Sequence, residues 1–282
     1  MDYWIWLASI DGLGAIRKMR ALQKFRTPEN FYKASKDEIL SIDGFGEAIY
    51  RKIENSKDLK NVEKLILLNE KYGVKYINFF DDEYPENLRN IYDMPITLFY
   101  KGDITLLKEK NVAIIGSRNA SNYGLKNAYN IAKDCIKENY TVVSGLARGI
   151  DSYAHKGALA ACGKTIGVLG CGLDIVYPKE NFELYREIIE RGLIISEHVL
   201  GTRPSPENFP MRNRIISGIA DKIIVVEASV NSGTSITVNC ALEQGKDVYA
   251  VPGNINSNMS IGTNKLIKDG AGMYTCINDL RD

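Results

Sequence analysis

Val112–Gly124 reads VAIIGSRNASNYG and Thr141–Asp151 reads TVVSGLARGID. In each, a short apolar run, Val112–Ile115 or Thr141–Val143, passes through a Gly/Ser/Arg turn into a helical segment. A strand, a turn of small residues and a helix N-terminus make an anion cradle, because free backbone N–H groups and the positive end of the helix dipole converge there. Each cradle also carries an arginine, Arg118 in the first and Arg148 in the second.

From residue 111 onward, strand and helix signals alternate. Strands are expected near 112–115, 141–143, 165–169, 193–195, 222–226 and 247–251, and helices over 124–138, 150–161, 179–190, 209–219 and 234–244. Residues 262–282 read as a short helix and a last small strand. The strands are nearly continuous apolar runs, such as Ile223-Ile224-Val225-Val226, which indicates burial on both faces. That pattern predicts an α/β fold, an extended Rossmann-like doubly wound and mostly parallel sheet. Ligands on such sheets sit at the carboxyl ends of the strands.

Upstream, Val74–Phe80 and Ile96–Tyr100 read as strands that extend this sheet, separated by loops at Tyr84-Pro85 and Met94-Pro95. Residues 1–70 read as a small helical domain, with 71–282 as the sheet domain. Ile10-Asp11-Gly12-Leu13-Gly14 and Ile42-Asp43-Gly44-Phe45-Gly46 repeat one pattern, each ahead of a basic amphipathic helix. They look like the turns of paired helix-hairpin-helix (SAM-like) units, whose glycine amides approach a DNA phosphate. Alternatively, the glycines only close tight turns in a helical bundle.

The strand-end turns hold the candidate chemistry. They are Gly116-Ser117-Arg118, Ser144-Gly145 with Arg148-Gly149, and Gly170-Cys171-Gly172 leading to Lys179 and Phe182. Phe209 with Arg212-Asn213-Arg214, Asn231-Ser232-Gly233-Thr234, and Val251-Pro252-Gly253-Asn254 complete the edge. Asp151 reads as a helix cap or a partner of Arg148, and Thr234 and Ser235 as possible caps.

Several reactions are disfavoured. A dinucleotide fingerprint needs G-x-G-x-x-G, but Arg118 and Ser121 stand where the second and third glycines belong, and no P-loop is present. Ser117 and Ser144 lie outside any G-x-S-x-G, and His155 reads as a structural histidine. Five scattered cysteines and two histidines give no metal-ligand spacing and suit a reducing cytoplasm. No cofactor is expected. No apolar run reaches membrane-spanning length, and the apolar start carries Asp2 and no basic region, so no signal peptide is expected. With 25% charged residues and a net charge of +1, any polyanion surface must be local. What remains is polyanion binding without catalysis. Amides and arginines would fix phosphates, and Phe182 and Phe209 would offer faces to bases. Tyr177 reads more readily as core packing.

These turns, in this order, resemble the DNA-processing protein A (DprA/Smf) family. The matching stretches are VAIIGSR (112–118), SGLARGID (144–151), GCGLDIVYPK (170–179), FPMRNRII (209–216), VEASVNSGTSIT (226–237) and GKDVYAVPG (245–253), with YPENL and MPITLFYKGD upstream. The resemblance implies a single-stranded-DNA-binding recombination mediator that protects incoming strands during natural transformation. It implies loading of the RecA recombinase, displacement of single-strand-binding protein, homodimerisation and no catalytic reaction. An arginine and a lysine implicated in DNA contact match Arg118 and Lys179. Many members also carry a C-terminal winged-helix domain, which this chain, ending at Asp282, is expected to lack. An enzyme reading, a LOG-type (lysine-decarboxylase-like) nucleotide phosphoribohydrolase on a related scaffold, needs PGGxGT followed by a catalytic glutamate. The corresponding turn has no acid until Glu243.

Overall fold

The computed structural model describes residues 1–229 and 232–281. Six helices come first: α1 (Tyr3–Ser9), α2 (Ala15–Phe25), α3 (Pro28–Lys33), α4 (Lys36–Leu40), α5 (Glu47–Ser56) and α6 (Leu59–Tyr72). Their starts follow from local chemistry. Asp2 accepts from the Trp4 and Ile5 amides, Thr27 caps a helix with Pro28 in its first turn, and Ser35 and Glu38 form a reciprocal capping box. Gly73, in the left-handed region at φ 61°, closes α6.

The two repeated glycine turns interlock. Gly12 and Gly44 have φ of 70° and 79°, and Gly14 and Gly46 cap α2 and α5. Arg17 and Arg20 of α2 donate to the Gly44 and Asp43 carbonyls at 3.3 and 2.9 Å, while a Cβ on Gly12 would strike the Lys52 ammonium of α5. Each unit lays a cation on the other's turn, so the glycines have a structural reason of their own.

The remainder builds one sheet. Its strands are β1 (Lys75–Asn78), β2 (Thr97–Gly102), β3 (Asn111–Ile115), β4 (Thr141–Ser144), β5 (Thr165–Leu169), β6 (Leu193–Ser196), β7 (Lys222–Val225), β8 (Asp247–Ala250) and β9 (Gly272–Met273). The order is β1-β2-β6-β5-β4-β3-β7-β8-β9. All pairs from β6 to β9 are parallel, whereas β2 runs antiparallel to β6, and β1 antiparallel to β2. The two upstream strands therefore extend the sheet, as their sequence suggests. β3 to β7 are buried on every residue, which is why they read as unbroken apolar runs.

The helices between strands are α7 (Glu86–Arg89), α8 (Asn122–Lys137), α9 (Ile150–Ala160), α10 (Phe182–Arg191), α11 (Asn208–Ile219), α12 (Thr234–Glu243) and α13 (Ile261–Lys268). On one face, Ala128, Ile131, Ala154 and Ala158 of α8 and α9 pack on Val112, Ile114 and Val142. On the other, Ile215, Ile219 and Val238 of α11 and α12 pack on Ala113, Ile223 and Val225. A third cluster joins Trp6, Phe31 and Ile53 of the first helices to Leu184 and Ile188 of α10 and to Ile194 of β6. The last of the first six helices ends at Tyr72, and their hydrophobic core continues into the sheet.

One expected helix starts differently. Residues 179–181 form a 3-10 turn before α10. The Asn181 side chain fixes that turn by donating to the Leu146 carbonyl and the Ser152 hydroxyl, both at 2.9 Å. No described helix is long and apolar enough to cross a membrane.

Candidate nucleic-acid interface

The chain leaves β3 in one direction across the sheet, through β4, β5 and β6, then returns to β7 on the other side of β3. The carboxyl ends of β3 and β7 thus form the topological switch point, where a crevice opens in doubly wound sheets. A cavity of about 580 Å³ lies there. Residues 116–119, 204–206 and 232–234 wall it, with Asp151, Tyr177, Phe209, Arg212 and Asn213. Phe209, Arg212, Asn213 and Ile216 reach it together because they are spaced 3, 4 and 7 residues along α11, on one face.

The first turn is built tightly. A Cβ on Gly116 would meet Ile150 and the Glu227 carbonyl within 2.8 Å, and the Ser117 amide donates to that carbonyl at 2.8 Å. Gly149, at φ 72° and ψ −126°, lies against the Ser117 and Arg118 carbonyls. This backbone lifts Arg118 to the rim. Its exposed guanidinium lies 5.2 Å from the centre of the Phe209 ring. The Phe209 ring is 5.6 Å from the Tyr177 ring, tilted by 31°. Cation, ring and ring thus form one layer along the cavity mouth. Gly149→Ala is expected to lower stability by about 1–3 kcal/mol, since only glycine tolerates this backbone region. Urea unfolding checks it, and wild-type stability in the variant would mean that the Ser117–Arg118 turn gives way.

Both expected anion cradles are already filled by the chain's own carboxylates. At the N-terminus of α8, buried Glu227 accepts from the Ser121 amide at 2.8 Å and the Ser121 hydroxyl at 2.5 Å. At the start of α9, buried Asp151 accepts from the Gly145 and Ala147 amides at 3.1 and 3.4 Å. Burial pushes the Asp151 carboxyl up, and the Arg212 guanidinium opposes that rise. Asp151 does not pair with Arg148, which instead makes a two-pronged ion pair with Glu180 at 2.6 and 2.7 Å.

The candidate residues therefore separate. Gly116, Ser117, Arg118, Phe209, Arg212, Asn213 and Thr234 line the cavity. Arg212 is 5% exposed and donates from Nη1 to the Gly145 and Val168 carbonyls. Burial lowers its pKa to about 10, so it stays a guanidinium at neutral pH. Gly145 and Arg148 border an adjoining small hollow. Lys179 and Phe182 are exposed and line neither the cavity nor the hollow, although Pro178 next to Lys179 borders the hollow, and Lys179 has no ion pair among the described residues.

Two candidates are corrected. Ser144 is fully buried and its hydroxyl donates to the Ile114 carbonyl at 2.7 Å, which leaves nothing to face a ligand. Arg214 is 3% exposed and ion-paired to Asp93 at 3.0 Å and Glu197 at 2.7 Å, away from the cavity. Residues two apart on a helix project about 200° apart, so Arg212 and Arg214 cannot share a face. Conversely, Tyr177 is 45% exposed and belongs to the aromatic layer rather than the core. The 204–206 wall carried no sequence signal beyond its prolines. Thr234 and Ser235 are not caps. Gly233 holds that position, and Asn231 lies outside the described residues.

Among the described residues, no nucleophile–base pair gathers here. His155 is fully buried, its Nδ1 is 2.7 Å from the Thr165 hydroxyl, and burial lowers its pKa to about 3. Glu243 ends α12, exposed, at the far end of the helix whose first turn borders the cavity.

A family model for DNA recombination-mediator protein A matches residues 75–282. The chain belongs to this family. Protein Smf of Synechocystis is 33% identical over 282 residues, 99% of this chain and 71% of that protein. The X-ray structure of DNA processing protein A from Streptococcus pneumoniae superposes with a TM-score of 0.87 at 36% identity, covering 99% of this chain and 96% of that one. DNA processing protein A from Helicobacter pylori, whose structure concerns its single-stranded DNA binding mode, gives 0.67 at 30% identity, covering 73% and 93%. The mixed nine-stranded sheet is thus that of the recombination-mediator family.

Proposed function

We propose that this protein binds single-stranded DNA along the switch-point cavity, without catalysing a reaction on it. The observation that carries the reading is the layer of Arg118, Phe209 and Tyr177 beside buried Arg212. A single strand needs cations for its phosphates and flat faces for its bases, each base–aromatic contact contributing roughly 1–3 kcal/mol. Arg118, Phe209 and Tyr177 offer both within one mouth, and exposed Lys179 and Phe182 extend the track outward. The single-stranded DNA binding mode described for the Helicobacter pylori relative supports the same ligand.

The wider role we propose is that of a recombination mediator in the cytoplasm. It would work as a homodimer that shields incoming single strands in natural transformation, helps displace single-strand-binding protein, and loads a RecA-type recombinase. Membership of the family supports this role.

The test is fluorescence-anisotropy binding of an unstructured oligonucleotide, against duplex of equal length, across a salt series. The expected result is a preference for the single strand, with the log–log slope rising by roughly 0.7 for each phosphate contact. Binding to duplex alone, or a flat salt response, would reject the reading.

A further inference from the structure

Three carboxylates stand where this edge would otherwise receive anions. Two of them, Glu227 and Asp151, are buried and held by backbone amides. The third, Glu180, differs. Its side chain is 53% exposed, and its partner Arg148 is 60% exposed. Arg148 borders a hollow of about 70 Å³ that Arg118, Arg212, Tyr177 and Phe209 also line, and Glu180 reaches that edge through its contact with Arg148.

We infer that Glu180 is an exchangeable stand-in for a DNA phosphate: it holds Arg148 at the mouth of this hollow until a backbone phosphate displaces it. The inference rests on the single-stranded DNA reading above.

Three observations support it. First, the pairing is two-pronged, through Nε and Nη2, which is the geometry with which a guanidinium also takes a phosphate. The same fork that meets Glu180 would meet two phosphate oxygens. Second, the pair is not needed to hold the loop. Asn181, buried, already ties it to Leu146 and Ser152. An ion pair this exposed contributes little to stability and opens readily. Third, Glu180 lies directly after Lys179 and two residues before Phe182, on the outer rim of the proposed track. An acid there opposes DNA binding unless it has a local task, and its contact with Arg148 supplies one. The Arg148 guanidinium holds the Glu180 carboxyl below its usual range, so the pair is fully charged at neutral pH.

Exchange has a measurable consequence. When a phosphate takes Arg148, Glu180 is set free and recruits a cation, which offsets part of the counterion release from the strand. The full-length protein, Glu180→Gln, Arg148→Ala and the double variant are compared for binding to an unstructured oligonucleotide over a salt series. Glu180→Gln is expected to bind about 3- to 10-fold more tightly at low salt, with a log–log slope steeper by up to roughly 0.7. In the Arg148→Ala background the same substitution is expected to lose most of that gain. Unchanged or weaker binding by Glu180→Gln overturns the inference. So does an equal gain with and without Arg148, which would mean that Glu180 acts only as a nearby negative charge. Arg118→Ala in the same assay separates the two levels: if that variant binds like the wild type, the cavity reading itself fails and the exchange falls with it.

Discussion

Arg118→Ala is expected to weaken binding of single-stranded DNA by about 10- to 100-fold, corresponding to one charge-assisted contact of roughly 1.5–3 kcal/mol. The size follows from its position. Arg118 is the exposed cation of the cavity mouth, and its guanidinium also covers the Phe209 ring. Under the proposed reading its removal deletes a phosphate contact, and it leaves one face of the aromatic layer without its cation. The turn beneath is held by backbone contacts to Glu227 and Gly149, so the variant should keep its fold. Adding Lys179→Ala should deepen the loss, because the two cations lie on separate loops and, under the proposed reading, would contact different phosphates. Anisotropy titration at fixed salt reads both effects, and a double variant with wild-type affinity would remove the cavity from consideration.

Arg214→Met is expected to act on stability instead, by about 3 kcal/mol, near the lower end for breaking a buried ion pair. Arg214 joins α11 to two distant segments, through Asp93 in the loop before β2 and Glu197 just after β6. Its loss leaves Glu197, whose side chain is 18% exposed, without its counter-charge. Asp93, at 33%, can turn to solvent, which moderates the penalty. Urea unfolding should show the drop, while the folded variant retains its affinity for the single strand. The opposite pattern, intact stability with lost binding, would return Arg214 to the interface.

The two outcomes illustrate what the sequence does and does not disclose. The central strands β3 to β7 were legible because they are largely apolar runs leading into small-residue turns, and their parallel arrangement follows from the helices lying between them. The edge carrying the site was legible for the same reason. The division of labour between Arg212 and Arg214 was also available, since two positions on a helix differ by about 200°. Reading Arg212, Asn213 and Arg214 as one basic patch ignored that period. Other features are beyond local pattern. Glu227 reaches Ser121 across 106 positions, and nothing near either residue marks the pairing. Tyr177 meets Phe209 only because the loops after β5 and before α11 converge at one cavity. Arg148 resembles a free cation until Glu180 is placed opposite it.

The filled cradles also bear on what the protein ignores. On many sheets of this class the amides at a helix N-terminus capture the phosphates of free nucleotides. Here Glu227 and Asp151 hold those amides. A mononucleotide arriving at the proposed site meets the Asp151 carboxyl in its wall and finds few free amides to hold its phosphate. A polymer makes the same modest contact many times over, and once one nucleotide is held, its neighbours are tethered at high effective concentration. Under the proposed reading, closing the strong small-molecule site leaves a surface on which only length confers tight binding, so the pool of free nucleotides is no competitor for the strand.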